Sequence, residues 1–123
     1  MFLQLAHKKL NVYQFSQALA LECYKVTRQF PNDEKFAMVQ QIRRAALSVH
    51  LNLAEGSSRK SQVERNRFYE IARGSVIEID AAFEIAYQLE YASLEQLQLA
   101  GEKIIGTFKL LSGMISQNNN IKD

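Results

Sequence analysis

The chain reads as all-α: an up-down-up-down antiparallel four-helix bundle that assembles as a homo-oligomer. Three observations predict this. Apolar residues recur at three- and four-residue spacing through four long segments. The punctuation between segments is short and made of helix stop and start signals, which forces sequential helices to be antiparallel. One of the four segments carries more apolar circumference than a single buried face needs. One Pro, five Gly, no Trp and a 47% hydrophobic content over 123 residues suit one helical domain spanning 1–123 with a core of its own.

The first helix is predicted over about residues 10–28, where Tyr13, Ser16, Leu19, Ala20, Cys23, Thr27 and Phe30 follow a core stripe. Pro31, Asn32 and Asp33 stop it. Asn32 or Asp33 then caps a second helix over 33–55, with Gly56 at the left-handed position beyond its end. Ser61 and Glu64 form a capping box for a third helix over 62–90, carried by Phe68, Ile71, Ala72, Ser75, Ile79, Ala82, Phe83, Ala86 and Leu89. Gly74 in its middle costs ~1 kcal/mol relative to Ala, which implies a close backbone approach. Ser93 and Gln96 repeat the capping pattern ahead of a fourth helix over 94–116, with a seam of Leu97, Gly101, Ile104, Phe108, Leu111 and Ile115. The tail 117–123, with three consecutive Asn, has little to bury and is expected to fray.

The second helix has two seams. At ~100° per residue, Met38, Val39, Ile42, Ala45, Ala46, Val49 and Leu53 share one side, while Phe36, Leu47, Leu51 and Ala54 share another, with Arg43 and Arg44 on the borders. One seam closes the core; the other is the expected oligomer interface.

The net charge of +2 conceals a segregation. Residues 1–73 hold 12 Lys and Arg against 6 Asp and Glu, and residues 74–123 hold 3 against 7. Within the basic part, Glu64, Arg67, Glu70 and Arg73 recur every three residues and can satisfy one another as a surface ladder, each pair worth only ~0.2–0.5 kcal/mol. Arg59, Lys60 and Arg65 have no such partners and cluster at the turn between the second and third helices. With Arg43 and Arg44 they form the candidate nucleic-acid-binding set, which assembly would multiply into a surface suited to phosphate contacts. The aromatic residues Tyr13, Phe15, Tyr24, Tyr69, Tyr87 and Tyr91 sit mostly at or beside core spacing, which makes them poor stacking platforms for bases.

Other chemistries find little support. A di-iron bundle needs Glu-x-x-His pairs, whereas His7 and His50 are the only histidines and are preceded at that spacing by Gln4 and Leu47. No metal or cofactor is therefore expected. Cys23, alone, cannot form an internal disulfide and reads as a small buried hydrophobe. No nucleophile elbow, phosphate loop, dinucleotide fingerprint or zinc spacing occurs, so the expectation is a non-enzyme. The short apolar start followed by His7, Lys8 and Lys9 is not a signal peptide, and no apolar run approaches ~20 residues, so a cytoplasmic protein without membrane contact is expected.

Several ordered motifs carry a resemblance: L-x-V-Y-Q from Leu10 to Gln14, Phe30-Pro31, Q-I-R-R-A-A-x-S-V from Gln41 to Val49, N-x-A-E-G from Asn52 to Gly56, and I-A-R-G-S-x-x-E from Ile71 to Glu78. Over about residues 8–116 the chain resembles the four-helix-bundle proteins encoded in intervening sequences of bacterial 23S ribosomal RNA genes. The resemblance implies a homopentameric ring or barrel with no established enzymatic activity. A related member, the accessory variability determinant of diversity-generating retroelements, binds nucleic acid and associates with a reverse transcriptase. By position, Arg43, Arg44, Asn52, Glu55, Gly56, Arg73 and Glu78 match the family pattern, where such residues serve packing, turns and subunit contacts. The chain departs from it at Leu89, Glu90 and Tyr91, where the family commonly has Leu-Gly-Tyr.

The functional expectation is a non-enzymatic oligomer that binds RNA or DNA weakly through phosphates. The alternative is a protein-interaction scaffold, for example an accessory subunit of a nucleic-acid-processing enzyme, with no direct nucleic-acid contact.

Overall fold

A computed structural model describes residues 1–120 of the chain. Its α-helices are α1 (Asn11–Thr27), α2 (Met38–Ser57), α3 (Gln62–Gln88) and α4 (Leu94–Asn120), with 3-10 turns at Ala6–Lys9 and Asn32–Glu34. Each helix packs on two neighbours in the cyclic order α1, α2, α3, α4. Cross-contacts fix the directions as antiparallel. Along α1 and α2, Ser16 meets His50 while Thr27 meets Arg43. Ser48 meets Ser75 while Gly56 meets Phe68 along α2 and α3, and Arg73 meets Ser112 while Asn66 meets Ile115 along α3 and α4.

The core contains Leu19, Cys23, Ile42, Val49, Leu53, Val76, Ile79 and Leu111, all closed to solvent. Burying a Leu or Ile side chain in this way is worth ~1.5–3 kcal/mol. The α1 stripe and the first seam of α2 lie where the sequence places them. On α3 the buried line shifts: Tyr69 and Val76 are inside, whereas Ile71 and Leu89 face outward. On α4 the seam is Ala100, Ile104, Thr107, Leu111 and Ile115, with Gly101 and Phe108 turned toward its border. A seven-residue repeat has two nearly equivalent phases, and contact with α1 selects this one, since Phe15 packs onto the backbone at Gly106.

The ends correct the expected punctuation. Helix α2 begins at Met38, not at residue 33, because Ala37 takes a non-helical conformation (φ −124°, ψ −98°). Neither Asn32 nor Asp33 caps it; the Glu34 carboxylate accepts the Met38 N–H and also the Tyr91 hydroxyl at 2.8 Å. Gly56 is not a left-handed terminator either. It lies inside α2, where a Cβ would stand 2.8 Å from the Phe68 Cβ and 3.0 Å from the Tyr69 ring, so the missing side chain permits the approach of α3. Gly74, expected at a close approach, has open space around it.

Both N-caps form in the expected places, the first as a single bond and the second as a full capping box. Ser61 Oγ accepts the Glu64 N–H, and Ser93 and Gln96 cap each other reciprocally at 2.9 and 3.1 Å. Helix α3 closes with the Tyr91 N–H on Ala86 O and the Glu90 N–H on Tyr87 O, the double hydrogen bond of a Schellman end. That motif requires a left-handed residue, and Glu90 supplies it at φ 63°.

The expected frayed tail is corrected as well. Residues 117–120 continue α4, because Asn118 donates to Asn66 Oδ1 and Asn66 donates to Ile115 O and Asn119 Oδ1. The remainder of that expectation, residues 121–123, lies outside the described residues.

Candidate nucleic-acid interface

The five cations do not form one site. Arg43 is built into the α1–α2 contact: its Nε donates to Thr27 Oγ1 at 3.0 Å, its Nη2 donates to Tyr24 O at 3.3 Å, and its guanidinium lies 4.7 Å from the Tyr24 ring centroid. It thus joins the Thr27 hydroxyl on a carbonyl near the C-terminus of α1, where a cation is also favoured by the helix dipole. Arg43 is a packing residue, not an open phosphate ligand. Arg44 is exposed, but it sits near the start of α2, about 20 Å along the axis from the α2–α3 turn.

Arg59, Lys60 and Arg65 are together at that turn. Arg59 has a partner the sequence reading did not give it: it pairs with Glu55, and its guanidinium lies 5.1 Å from the Phe68 ring centroid. Arg65 donates from Nε to Arg59 O at 2.7 Å, which fixes the guanidinium against the turn backbone. Lys60 is exposed. The expected ladder of Glu64, Arg67, Glu70 and Arg73 is not formed as ion pairs. Among the described residues the only salt bridges are Lys25–Glu22 and Arg59–Glu55; Arg73 instead donates to Ser112 Oγ.

The antiparallel topology adds cations that the linear reading missed. Ala6 and His7 line the same hollow as Ser57, Arg65 and Asn118, so the N-terminal turn lies at the α2–α3 end of the bundle and carries Lys8 and Lys9 there. The half of the bundle at this end, residues 1–17, 50–73 and 107–120, holds 8 Lys and Arg against 3 Asp and Glu. The opposite half, residues 18–49 and 74–106, holds 6 against 9. The charge is therefore polarised along the bundle axis, with Lys8, Lys9, Arg59, Lys60, Arg65 and Arg67 at the basic end. Counting charge per bundle end, once the up-down order is accepted, would have found this from the sequence.

Of the second α2 seam, Leu51 is 60% exposed and Leu47 42%, while Ala54 is half-buried; Phe36, 81% exposed, lies in the turn before Met38 and so is not on that helix as expected. Leu21 of α1, 62% exposed, lies on the same side, because α1 and α2 run antiparallel with Ser16 at His50 and Tyr24 at Arg43. Across the bundle, α3 and α4 form an apolar groove of ≈ 270 Å³ lined by Ile77, Ile104, Ile105 and Phe108.

Cys23 is sealed in the core, and burial together with the nearby Glu22 pushes its thiol up to about 12, so it stays a neutral packing group. His50 contacts Ser16 Oγ through Nδ1 at 2.7 Å and lies tilted against Tyr13, with ring centroids 4.4 Å apart. Among the described residues no group of three or more His, Cys, Asp and Glu is placed to hold a metal ion, and no helix is long and apolar enough to cross a membrane.

No curated protein matches this chain. A solved structure that does is a protein with unknown function from the S23 ribosomal protein family of Bacteroides thetaiotaomicron VPI-5482. It is 25% identical, with a TM-score of 0.78, over 85% of this chain and 97% of that one. The family described as 23S rRNA-intervening sequence protein matches residues 8–113, which takes in α1, α2 and α3 whole, α4 as far as residue 113, the α2–α3 turn and the Glu90 corner. The chain belongs to the 23S rRNA-intervening sequence protein family.

Proposed function

We propose that this protein is a non-enzymatic, homo-oligomeric bundle that binds RNA or DNA weakly through phosphate contacts made by its basic end. The observation that carries the reading is the gathering of Lys8, Lys9, Arg59, Lys60, Arg65 and Arg67 at one end of an axially polarised bundle. A cationic surface of this kind attracts any polyanion, and binding releases the counterions condensed on it.

Assembly is proposed from the two outward apolar faces. The α1–α2 face with Leu21, Leu47 and Leu51 and the α3–α4 groove with Ile77 and Phe108 are unlike one another and lie on opposite sides of the bundle. Unlike faces pair head-to-tail, and a head-to-tail contact that closes makes a ring. In such a ring every protomer points its basic end the same way, so the modest charge of one copy is repeated around one rim. In support, the family resemblance implies a ring of the same kind.

Two measurements on the wild-type protein test the reading. Sedimentation equilibrium at micromolar concentration is expected to give an oligomer rather than a 14.1 kDa particle. Fluorescence anisotropy with a single-stranded RNA is expected to give Kd of ~10⁻⁴ to 10⁻⁶ M near physiological salt, with log affinity falling linearly in log salt. Saturable binding that does not respond to salt, or none at low salt, contradicts the phosphate reading and leaves the protein-scaffold alternative.

A further inference from the structure

The basic end is hollow. Between the N-terminal 3-10 turn, the start of α3 and the last turns of α4 lies a cavity of ≈ 360 Å³, bordered by Arg65 and by no carboxylate. We propose that this cavity is a socket for one unpaired nucleotide, with the phosphate at Arg65 and the base against Leu10 and Met114. The inference rests on the phosphate-directed reading above and deepens it by naming what the basic end takes.

Four features make the hollow a built site. Arg65 is held by its Nε hydrogen bond to Arg59 O, which leaves both terminal nitrogens without a protein partner among the described residues. A guanidinium fixed by its Nε and open at its fork is arranged for two-point contact with a phosphate. The floor is fixed and the wall apolar: Tyr69 is buried against Gly56 with its hydroxyl tied to Ser57 Oγ at 3.2 Å, and Leu10 and Met114 supply the apolar surface. The walls are fixed at both ends. His7 is set edge-on to Tyr13 with ring centroids 5.4 Å apart, and the Asn66, Asn118 and Asn119 hydrogen bonds keep α4 helical where it would otherwise fray.

The volume falls in the range of small-molecule sites and admits one base with its sugar phosphate. Bases in a duplex stay stacked and paired, whereas single-stranded bases turn out into such hollows and meet aromatic and apolar side chains. The ligand chemistry is therefore a nucleoside monophosphate, either free or as one unit of a single-stranded chain.

The test uses the full chain labelled at the methionine methyl groups, followed by ¹³C NMR. Met114 reports on the socket, and Met38, at the opposite end, is the control. Uridine 5′-monophosphate is expected to shift Met114 and leave Met38 unmoved, at a half-saturation about tenfold below that of uridine or inorganic phosphate alone. Arg65→Gln, and Gln117→Glu, which sets a carboxylate at the exposed rim, are each expected to weaken this response about tenfold or more with helicity unchanged. A silent Met114, or equal responses to the monophosphate and to uridine, overturns the socket.

A short oligouridine separates the two sources of the ligand. If it shifts Met114 at lower concentration than the mononucleotide, the socket reads a strand. If only the mononucleotide acts and oligouridine fails to bind, the socket stands and the polymer-binding reading falls. If oligouridine binds by anisotropy with Met114 unmoved throughout, the polymer-binding reading stands and the socket falls.

Discussion

Glu90 holds a conformation that its side chain disfavours. A left-handed backbone costs a residue with a Cβ roughly 1 kcal/mol, and the Schellman end of α3 requires that backbone because both of its closing hydrogen bonds are made. Glu90→Gly is therefore expected to raise stability by about 1 kcal/mol, seen as a melting temperature a few degrees higher. Gly56 is the reverse case. It lacks a side chain where α2 and α3 touch, so Gly56→Ala is expected to destabilise by ~1–3 kcal/mol in chemical denaturation, because the Phe68 Cβ and Tyr69 ring must move apart.

His50 gives a pH signature. Burial first, and the neighbouring His7 second, lower its pKa below the ordinary 6.5 in the folded protein. The unfolded chain then binds more protons than the folded one between the lowered folded value and 6.5. Stability is complete above the unfolded value and is lost as pH falls through that window. His50→Gln, measured by urea denaturation from pH 7.5 to 5, is expected to flatten this dependence. An unchanged slope would place the titrating group elsewhere.

At the scale of elements, α2 does two jobs that its sequence displays together. Its inner face is closed by Ile42, Ala46, Val49 and Leu53, and its outer face leaves Leu47 and Leu51 in water. Leu47→Glu is expected to reduce the proposed assembly to a 14.1 kDa particle in light scattering while circular dichroism stays that of the parent. The wild-type mass in that variant would show that this face is not the subunit contact.

The helices, their order and both N-caps were legible in the sequence because they follow from spacing and from local hydrogen bonds. The position of Met38 as the start of α2 was not, since its N–H is received by Glu34, a residue fixed by Tyr91, which is 57 positions away in sequence but at the same end of the bundle. The continuation of α4 through residues 117–120 was hidden for the same reason: Asn is a weak helix former, and only Asn66 on another helix makes its amides useful here. The fate of Arg43 was equally remote from its neighbours in sequence. An arginine on a helix border looks free until Thr27 and Tyr24 are seen to receive it.

Across the whole molecule, the segregation of charge along the sequence becomes a segregation along the bundle axis. Antiparallel folding brings the N-terminal lysines to the α2–α3 turn and sends the acidic stretch from Glu78 to Glu102 largely to the other end. The net charge of +2 is a poor guide to such an object, because each end presents its own field to a partner within a Debye length of ~8–10 Å. Location, not total charge, therefore sets the field that a partner meets.

The most direct test compares two triple variants with the same change in net charge. One carries Arg59→Gln, Lys60→Gln and Arg65→Gln at the basic end; the other carries Lys25→Gln, Arg28→Gln and Lys35→Gln at the opposite end. In anisotropy titrations of one single-stranded RNA at fixed low salt, the first is expected to lose about tenfold or more in affinity and the second to bind almost as the wild type does. Equal losses in the two variants, or none in either, would contradict the assignment of binding to the basic end.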